Sequence, residues 1–512
     1  MRIDRRSFLQ MTASAMAAAC TSSTEAQSAP HSVRIRSSQP GHVVPPNFVG
    51  LSYELAQLSE PAFFSPQHQD LIAMFRRLSP SGVLRVGGNT SEFCWFRATP
   101  ATPAPKLHVP PGDLAQNWMP HRLFAIEPAA IDALAGFLQA TGWTAIYGLN
   151  FGNSTPERAA AEAAYVHKRL GSKLAFFQIG NEPDLYQKAS NGTRPPGWGF
   201  DDYVREWLAF ADAVSARVPQ ARFGGPDTAA ASDWVIRFGD EVAPKLGERL
   251  VALSGHYYAE GPPNDPRVTT ERLLAGDPNV EQSAREIVRT ADAHHLIYRM
   301  SEGNSCYRGG KPGMSNAFAA SLWAADYLLT LASLGCAGVN LHGGDSRFLS
   351  AGLGDHNPGL EAAGNKKQSA PNGFYTPIAT EQGQPAEPRP VFYGMQLAQH
   401  FAGGSMLAVE SAQDPMLRPY AAEKNGGITV ALVNKSSSAD REVAITVERP
   451  FSRAGMMRLT APALDATTGV EFKRADVSTD GTWDPRTEVM KTRTNSLRIT
   501  VPAASAAVLF LR

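Results

Sequence analysis

Short runs of β-branched, aromatic and aliphatic residues, bounded by Gly, Pro and Asn, recur along the chain at Phe48–Glu54, Val83–Gly88, Ala145–Phe151 and Leu174–Gly180. Four more follow at comparable intervals, Ala221–Gly225, Leu250–Tyr257, Leu296–Ser301 and Cys336–Leu341. In most of the gaps apolar residues return every three and four positions, as in Leu71, Ile72, Phe75, Leu78, in Ile131, Leu134, Phe137, Leu138, and in Tyr203, Trp207, Phe210, which is the period of a helix with one buried face. Strand then helix, eight times over, predicts an α/β fold, the (β/α)8 TIM barrel. An open doubly wound sheet is the alternative, but the Gly-rich dinucleotide fingerprint it carries after its first strand is missing. After about residue 400 the pattern changes to alternation in Gly427–Val433, Glu442–Val447, Ser496–Val501 and Ala506–Leu511, with turns such as Asn425-Gly426-Gly427, and this predicts a C-terminal β-sandwich domain. Val33–Arg36 alternates similarly and is expected to donate a strand to that sandwich. The expected organisation is a leader and tether over 1–30, an N-terminal strand within 31–47, a barrel over 48–400 and a sandwich over 401–512.

The 512 residues carry 48 Lys+Arg against 48 Asp+Glu, so no basic excess argues for a nucleic-acid partner. With 43% hydrophobic and 19% charged residues the composition is that of a folded protein, and no stretch has the roughly 18 apolar residues of a membrane span. Arg5-Arg6-Ser7-Phe8-Leu9, followed by an Ala-rich run ending in Ala17-Ala18-Ala19-Cys20, resembles a twin-arginine signal, so export to the periplasm or cell envelope is expected. Cys20 stands in a loose lipoprotein box and offers a lipid anchor; an ordinary cleaved leader with an incidental Cys is the alternative. The remaining cysteines, Cys94, Cys306 and Cys336, have the spacing of neither a disulfide framework nor a metal site, and are expected as small buried hydrophobes.

In a barrel the chemistry sits where each strand ends, and here those ends are polar: Ser52-Tyr53-Glu54, Gly87-Gly88-Asn89, Gly180-Asn181-Glu182-Pro183-Asp184, His256-Tyr257-Tyr258, Ser301-Glu302-Gly303-Asn304 and His342-Gly343-Gly344-Asp345. Glu182 and Glu302 end strands four and seven, on opposite sides of the ring, and both would project into one mouth. A lone strand-end Glu usually caps a turn. Two of them, each in a Gly/Asn-rich tip, are the paired carboxylates of a glycosidase: about 5–5.5 Å apart when one is a nucleophile, roughly 6.5–9.5 Å when a water must enter between them.

These residues are similar to those of a known family. Phe177-Gln178-Ile179-Gly180-Asn181-Glu182-Pro183 looks like the acid/base motif of the retaining barrel glycosidases with catalytic Glu on strands four and seven, and Met300-Ser301-Glu302 resembles their nucleophile strand. The run from Ser301 to Gly310, followed by Ser315-Asn316-Ala317-Phe318-Ala319-Ala320, is similar to glycoside hydrolase family 79, which contains β-glucuronidases and heparanase. Leu84-Arg85-Val86-Gly87-Gly88-Asn89 and His256-Tyr257-Tyr258 match in the same order. The resemblance implies a retaining hydrolase in which Glu182 is the acid/base and Glu302 the nucleophile, with no metal or cofactor. It further implies that Asn181 binds the sugar 2-hydroxyl, that Tyr257 donates to Glu302, and that Tyr307, the Tyr375 hydroxyl and the Gly373 backbone clamp a glucuronate carboxylate. Glu54 and Asn89 are expected on the 3- and 4-hydroxyls. Ordinary loop or core packing is the plain alternative for each tyrosine.

The expected activity is thus an exo-β-glucuronidase removing terminal glucuronic acid, or its 4-O-methyl form, from a glycan or glycoconjugate. The alternatives are an endo-acting, heparanase-like hydrolase of acidic polysaccharide and a non-catalytic carbohydrate-binding protein. A sulfated polymer calls for basic clusters, and no run is denser than Arg76-Arg77 or Lys366-Lys367, which favours exo action.

Overall fold

The computed structural model describes residues 30–107, 119–120, 122–188, 192–355, 373–381, 384–412, 414–474 and 494–512. The leader with Cys20, Lys366-Lys367 and Asn372 lie outside the described residues. Eight parallel strands close a barrel: β1 Val49–Glu54, β2 Val83–Gly87, β3 Thr144–Leu149, β4 Leu174–Ile179, β5 Phe223–Thr228, β6 Leu250–Glu260, β7 Ile297–Cys306 and β8 Gly338–Gly343. Each is followed by a helix: α1 Gln69–Leu78, α2 Pro128–Thr141, α3 Pro156–Leu170, α4 Phe200–Arg217, α5 Ser232–Leu246, α6 Pro278–Ala293, α7 Phe318–Ser333 and α8 Pro390–Gln399.

The helices form where the period of three and four places them, because their apolar stripes have the outside of the barrel to cover. Leu71, Ile72, Phe75, Leu78, Ile131, Leu134, Phe137, Leu138, Tyr203, Trp207 and Phe210 are all buried, each worth about 1.5–3 kcal/mol when taken out of water. Phe75 packs edge-on against Phe137 at 5.0 Å and tilted on Trp143 at 4.6 Å, geometries that aromatic quadrupoles favour.

The barrel axis is polar. Arg85 on β2 and Arg299 on β7 are buried inside it, and the chain makes room for them with small residues. A Cβ on Gly87 would lie 2.6 Å from the Arg85 guanidinium, and one on Gly50 2.8 Å from that of Arg299. Arg299 fills the lower end, donating to the Asn340 side chain at 2.6 Å and to backbone carbonyls of Asn47 and Phe48. Arg85 lies above it, toward the strand ends.

Besides two two-stranded ribbons, the described strands outside the barrel form one sheet of nine. Its N-terminal strand, His31–Val43, runs antiparallel to Ser405–Ser411 and parallel to Arg441–Phe451, so residues from both chain ends share one core around Val33, Ile35, Val430, Leu432, Val443, Ile445 and Leu509. The two layers expected of a sandwich are continuous in hydrogen bonding: the sheet curls until Arg458 Nη2 donates to the carbonyl of Thr500 on the far edge strand at 3.1 Å. It is fixed to α7 by Asp326, which receives Lys435 Nζ at 2.5 Å, Arg418 Nε at 3.2 Å and the Tyr420 hydroxyl at 2.5 Å.

Candidate active site

Arg85 organises the mouth of the barrel. Its Nε donates to Gln178 on β4 at 3.0 Å, Nη1 to Ser52 on β1 at 3.2 Å and to Glu302 on β7, and Nη2 to Asn181 at 2.7 Å and to Asp227 on β5. One guanidinium therefore ties five strand ends together, and at 1% exposure it does so where charge interactions are little screened.

Glu182 and Glu302 face one another, as their places in the strand order require. A carboxylate oxygen of each and a ring nitrogen of His256 all lie within 4.8 Å of one another. Glu302 is fixed through both oxygens, Oε2 by Arg85 and Oε1 by the Tyr258 hydroxyl at 2.8 Å, with His342 Nδ1 at 3.6 Å from Oε2. Glu182 is the more open of the two, its side chain 15% exposed. His256 stands between carboxylates, Nδ1 at 3.0 Å from Glu182 and Nε2 at 3.2 Å from Asp227.

These neighbours separate the proton affinities of the pair. For Glu302, burial would raise the pKa, but the imidazoles of His342 and His256, then Arg85, and the Tyr258 hydrogen bond take it down to about 2. For Glu182, burial raises it, the His256 hydrogen bond and charge pull it back, and the Glu302 charge pushes it up again, leaving it above the ordinary carboxylate value. His256, lowered by burial but raised by Asp227 and then Glu302, titrates at about 10. Glu302 is thereby held as an anion and Glu182 favoured as an acid, the division of labour that acid and nucleophile require. The trio Glu182, His256 and Glu302 is compact enough to suggest a metal site. Both ring nitrogens of His256 already lie against carboxylates, Glu182 and Asp227, so as an imidazolium it holds its two protons between them.

The other expected residues divide. Asn181 is at the barrel mouth, its Oδ1 taken by Arg85 and its Nδ2 donating to Asn89 Oδ1 at 3.1 Å, a bond that uses one of the two N–H groups. Asn89 is also occupied by the Gly352 carbonyl at 3.0 Å. Glu54 Oε2 accepts from the Thr90 amide at 2.8 Å and hydroxyl at 2.6 Å, and Oε1 lies 3.5 Å from His342 Nε2, so only Oε1 remains for a ligand. Tyr307 and Tyr375 both neighbour Tyr258, their rings 6.4 Å and 6.1 Å from its own, and Tyr375 is 5.9 Å from His342. Gly373 has φ 93° and caps the Tyr375 turn through its carbonyl to Thr376 N at 3.0 Å.

Tyr257 does not hold Glu302. Side chains alternate along a strand, so with His256 facing the axis Tyr257 faces the helices. There it stacks on Tyr327 of α7 at 5.3 Å and donates to Asp277 at 3.2 Å. Tyr258 takes the role expected of its neighbour. Asp227 went unseen because Pro226 marks an end to the fifth strand, whereas β5 continues through it to Thr228. Arg85 and His256 lay inside matched motifs without a role; a charged residue amid Val83, Leu84 and Val86 signals a buried partner of opposite sign.

No family model matches the chain. It is 28% identical over 330 residues to a β-glucuronidase of Aspergillus niger, a match that takes in 58% of this chain and 58% of that protein. It is likewise 28% identical over 317 residues to a β-glucuronidase of Neurospora crassa, covering 57% of this chain and 55% of the relative. The matches thus span little more than half the length of these curated relatives. In three dimensions it superposes on a 4-O-α-L-rhamnosyl-β-D-glucuronidase from Fusarium oxysporum with a TM-score of 0.67, over 93% of this chain and 99% of that one, at 16% identity. At that identity the likeness establishes the shared architecture, a barrel with an attached sheet domain.

Proposed function

We propose that the protein is a retaining, exo-acting β-glucuronidase of the glycoside hydrolase family 79 type, taking terminal glucuronic acid or its 4-O-methyl form. The observation that carries the reading is the approach of Glu182 and Glu302 to within 4.8 Å with opposite shifts in proton affinity. That separation suits direct attack and is too short for the roughly 6.5–9.5 Å of an inverting pair.

In this reading Glu302, ionised and oriented by Arg85 and Tyr258, attacks the anomeric carbon while the Glu182 proton passes to the departing glycosidic oxygen. A covalent glycosyl-enzyme results, and the freed aglycone leaves as an alcohol. Glu182, now a carboxylate, takes a proton from water, whose oxygen displaces Glu302 and regenerates both groups with net retention. The Asn181 N–H meets the 2-hydroxyl, where a hydrogen bond strengthens as the ring becomes oxocarbenium-like. Tyr307 and Tyr375 supply hydroxyls on the side where the C5 carboxylate would lie.

Exo action is supported by the loop after β8. Gly352 packs so closely on Glu54 that a Cβ there would lie 2.4 Å from Oε1, and Arg347 ties the same loop to Glu60 on the β1 side at 2.7 Å. On this reading the loop stands where a sugar chain would have to continue past the 3- and 4-hydroxyls. Initial rates on 4-nitrophenyl β-glucuronide and β-glucoside test the proposal: strong preference for the glucuronide is expected, and equal turnover would refute the carboxylate clamp.

A further inference from the structure

The turn that carries the acid is an unfavourable piece of backbone held from outside. Gly180 has φ 87° and Glu182 φ 53° with ψ 51°, and a left-handed conformation costs a non-glycine residue roughly 1–2 kcal/mol. Three successive amides fix it. Gly180 N donates to the Leu149 carbonyl at 3.1 Å, Asn181 N to Glu92 Oε1 at 2.7 Å and Glu182 N to the Asp227 carbonyl at 2.9 Å. Asn181 N also reaches the Tyr186 hydroxyl, at 3.3 Å, so the side chains holding the turn are Glu92, at the shorter distance, and Tyr186.

Glu92 comes from the short 3₁₀ helix after β2 and is wholly buried. Besides Asn181 N it accepts, through Oε2, the Phe151 amide at 2.9 Å and the Gly152 amide at the end of β3. A fourth donor is the Tyr186 hydroxyl, on the turn that follows Glu182. Arg194 closes the arrangement from the other side, donating to the carbonyls of Phe151 at 3.1 Å and Gly152 at 3.3 Å. These donors and the Ser91 hydroxyl, 3.5 Å from Oε1, are all neutral, so among the described residues no ion pair offsets the burial of this carboxylate, and burial outweighs the Tyr186 and backbone hydrogen bonds to leave its pKa raised. Burying a carboxylate costs free energy unless it is paired and hydrogen-bonded, and here hydrogen bonds alone offset that cost.

We propose that Glu92 is the positioning residue of the general acid, joining the ends of β2, β3 and β4 so that Glu182 is aimed at the glycosidic oxygen. The inference rests on reading Glu182 as that acid. Glu92 touches no substrate; it acts through the Asn181 amide. The Asn181 side chain is held separately by Arg85 and Asn89, so loosening the turn disturbs proton delivery more than sugar binding.

The test is the dependence on leaving group. Glu92→Gln keeps the shape but turns an N–H₂ group toward amide donors. Displacing the acid by an ångström costs about a hundredfold, within the 10²–10⁴-fold, approximately, that general acid catalysis supplies. For an alkyl β-glucuronide, whose leaving oxygen must be protonated, kcat is therefore expected to fall about a hundredfold with little change in KM. For 2,4-dinitrophenyl β-glucuronide, which departs without a proton, kcat/KM reports glycosylation alone and should fall only a few-fold, while kcat and KM fall together because Glu182 is also the base of the second step; the two substrates are therefore compared by kcat/KM. Tyr186→Phe removes one donor and should show the same signature more weakly, so the ratio can be read even if Glu92→Gln fails to fold. Equal losses on both substrates, or none, would overturn the inference. A wild-type enzyme that cleaves another aryl glycoside but no glucuronide would overturn only the sugar assignment, and the ratio would be read on that glycoside. No turnover of any glycoside would overturn both.

Discussion

Replacing Tyr258 by Phe removes one hydroxyl from the nucleophile and leaves the ring packing against Tyr307 and Tyr375. The lost bond is 2.8 Å long, lies in a buried site and ends on an ionised carboxylate. A hydrogen bond to a charged group is worth about 1.5–3 kcal/mol net, and tenfold in rate is about 1.36 kcal/mol, so kcat/KM should fall roughly 10- to 150-fold. Its value to catalysis is orientation. With Oε2 held by Arg85 and Oε1 by Tyr258, the carboxylate plane is fixed by two donors, and losing one lets it turn away from the anomeric carbon. The same bond lowers the Glu302 pKa. Its loss should therefore raise that pKa and move the acid limb of the kcat/KM profile to higher pH. The matched control is Tyr257→Phe, which loses a 3.2 Å bond to Asp277 outside the barrel: activity should hold, and stability should fall by about 0.5–1.5 kcal/mol. Initial rates on a chromogenic glucuronide across pH, with melting temperatures for both variants, decide the matter. Lost activity in Tyr257→Phe with wild-type rates in Tyr258→Phe would refute the reasoning about strand parity and nucleophile alike.

Glu182→Ala should retain measurable hydrolysis of dinitrophenyl glucuronide while losing alkyl glucuronides, and Glu302→Gln should lose both; product assays on the two substrates check this. The pH profile of kcat/KM should be a bell. It needs Glu302 ionised, above its depressed pKa of about 2, and Glu182 protonated, below its raised one. In His256→Asn both carboxylates lose a neighbour that lowers them, so both limbs should move to higher pH in the same titration. Lys435→Met strips Asp326 of a buried partner 2.5 Å away, and breaking a buried pair costs about 3–5 kcal/mol. Denaturant titration should show that loss, eased by what Arg418 and Tyr420 retain.

The barrel was legible because it is written in two periods: alternation or short apolar runs for strands, three-and-four spacing for helices. The Glu182–Glu302 pair was legible because strand number fixes position around a ring, so strands four and seven must look across the mouth. What sequence does not fix is parity at a strand's end. The tip His256-Tyr257-Tyr258 offers two tyrosines, and only the inward histidine, two residues before Tyr258, selects between them. The polar barrel core was not legible for a related reason: Arg85 interrupts an apolar run, and its partners Asp227, Glu302 and Gln178 come from three other strands. Glu92 lies beyond any strand and faces amides from two distant loops, contacts that have no sequence period at all. In the C-terminal domain, Ser405–Ser411, Leu417–Lys424, Ala454–Thr460 and Glu471–Arg474 went unrecognised. Strands such as Ala454–Thr460 gain their stability from sheet neighbours far along the chain and carry little local signal.

The most direct measurement of the central claim is covalent trapping with a 2-deoxy-2-fluoro-β-glucuronyl fluoride, followed by peptide mapping by mass spectrometry. The account requires one glycosyl adduct per chain, on Glu302, formed more slowly in Tyr258→Phe. An adduct on Glu182, or continued turnover of glucuronides without an adduct on Glu302, would contradict it.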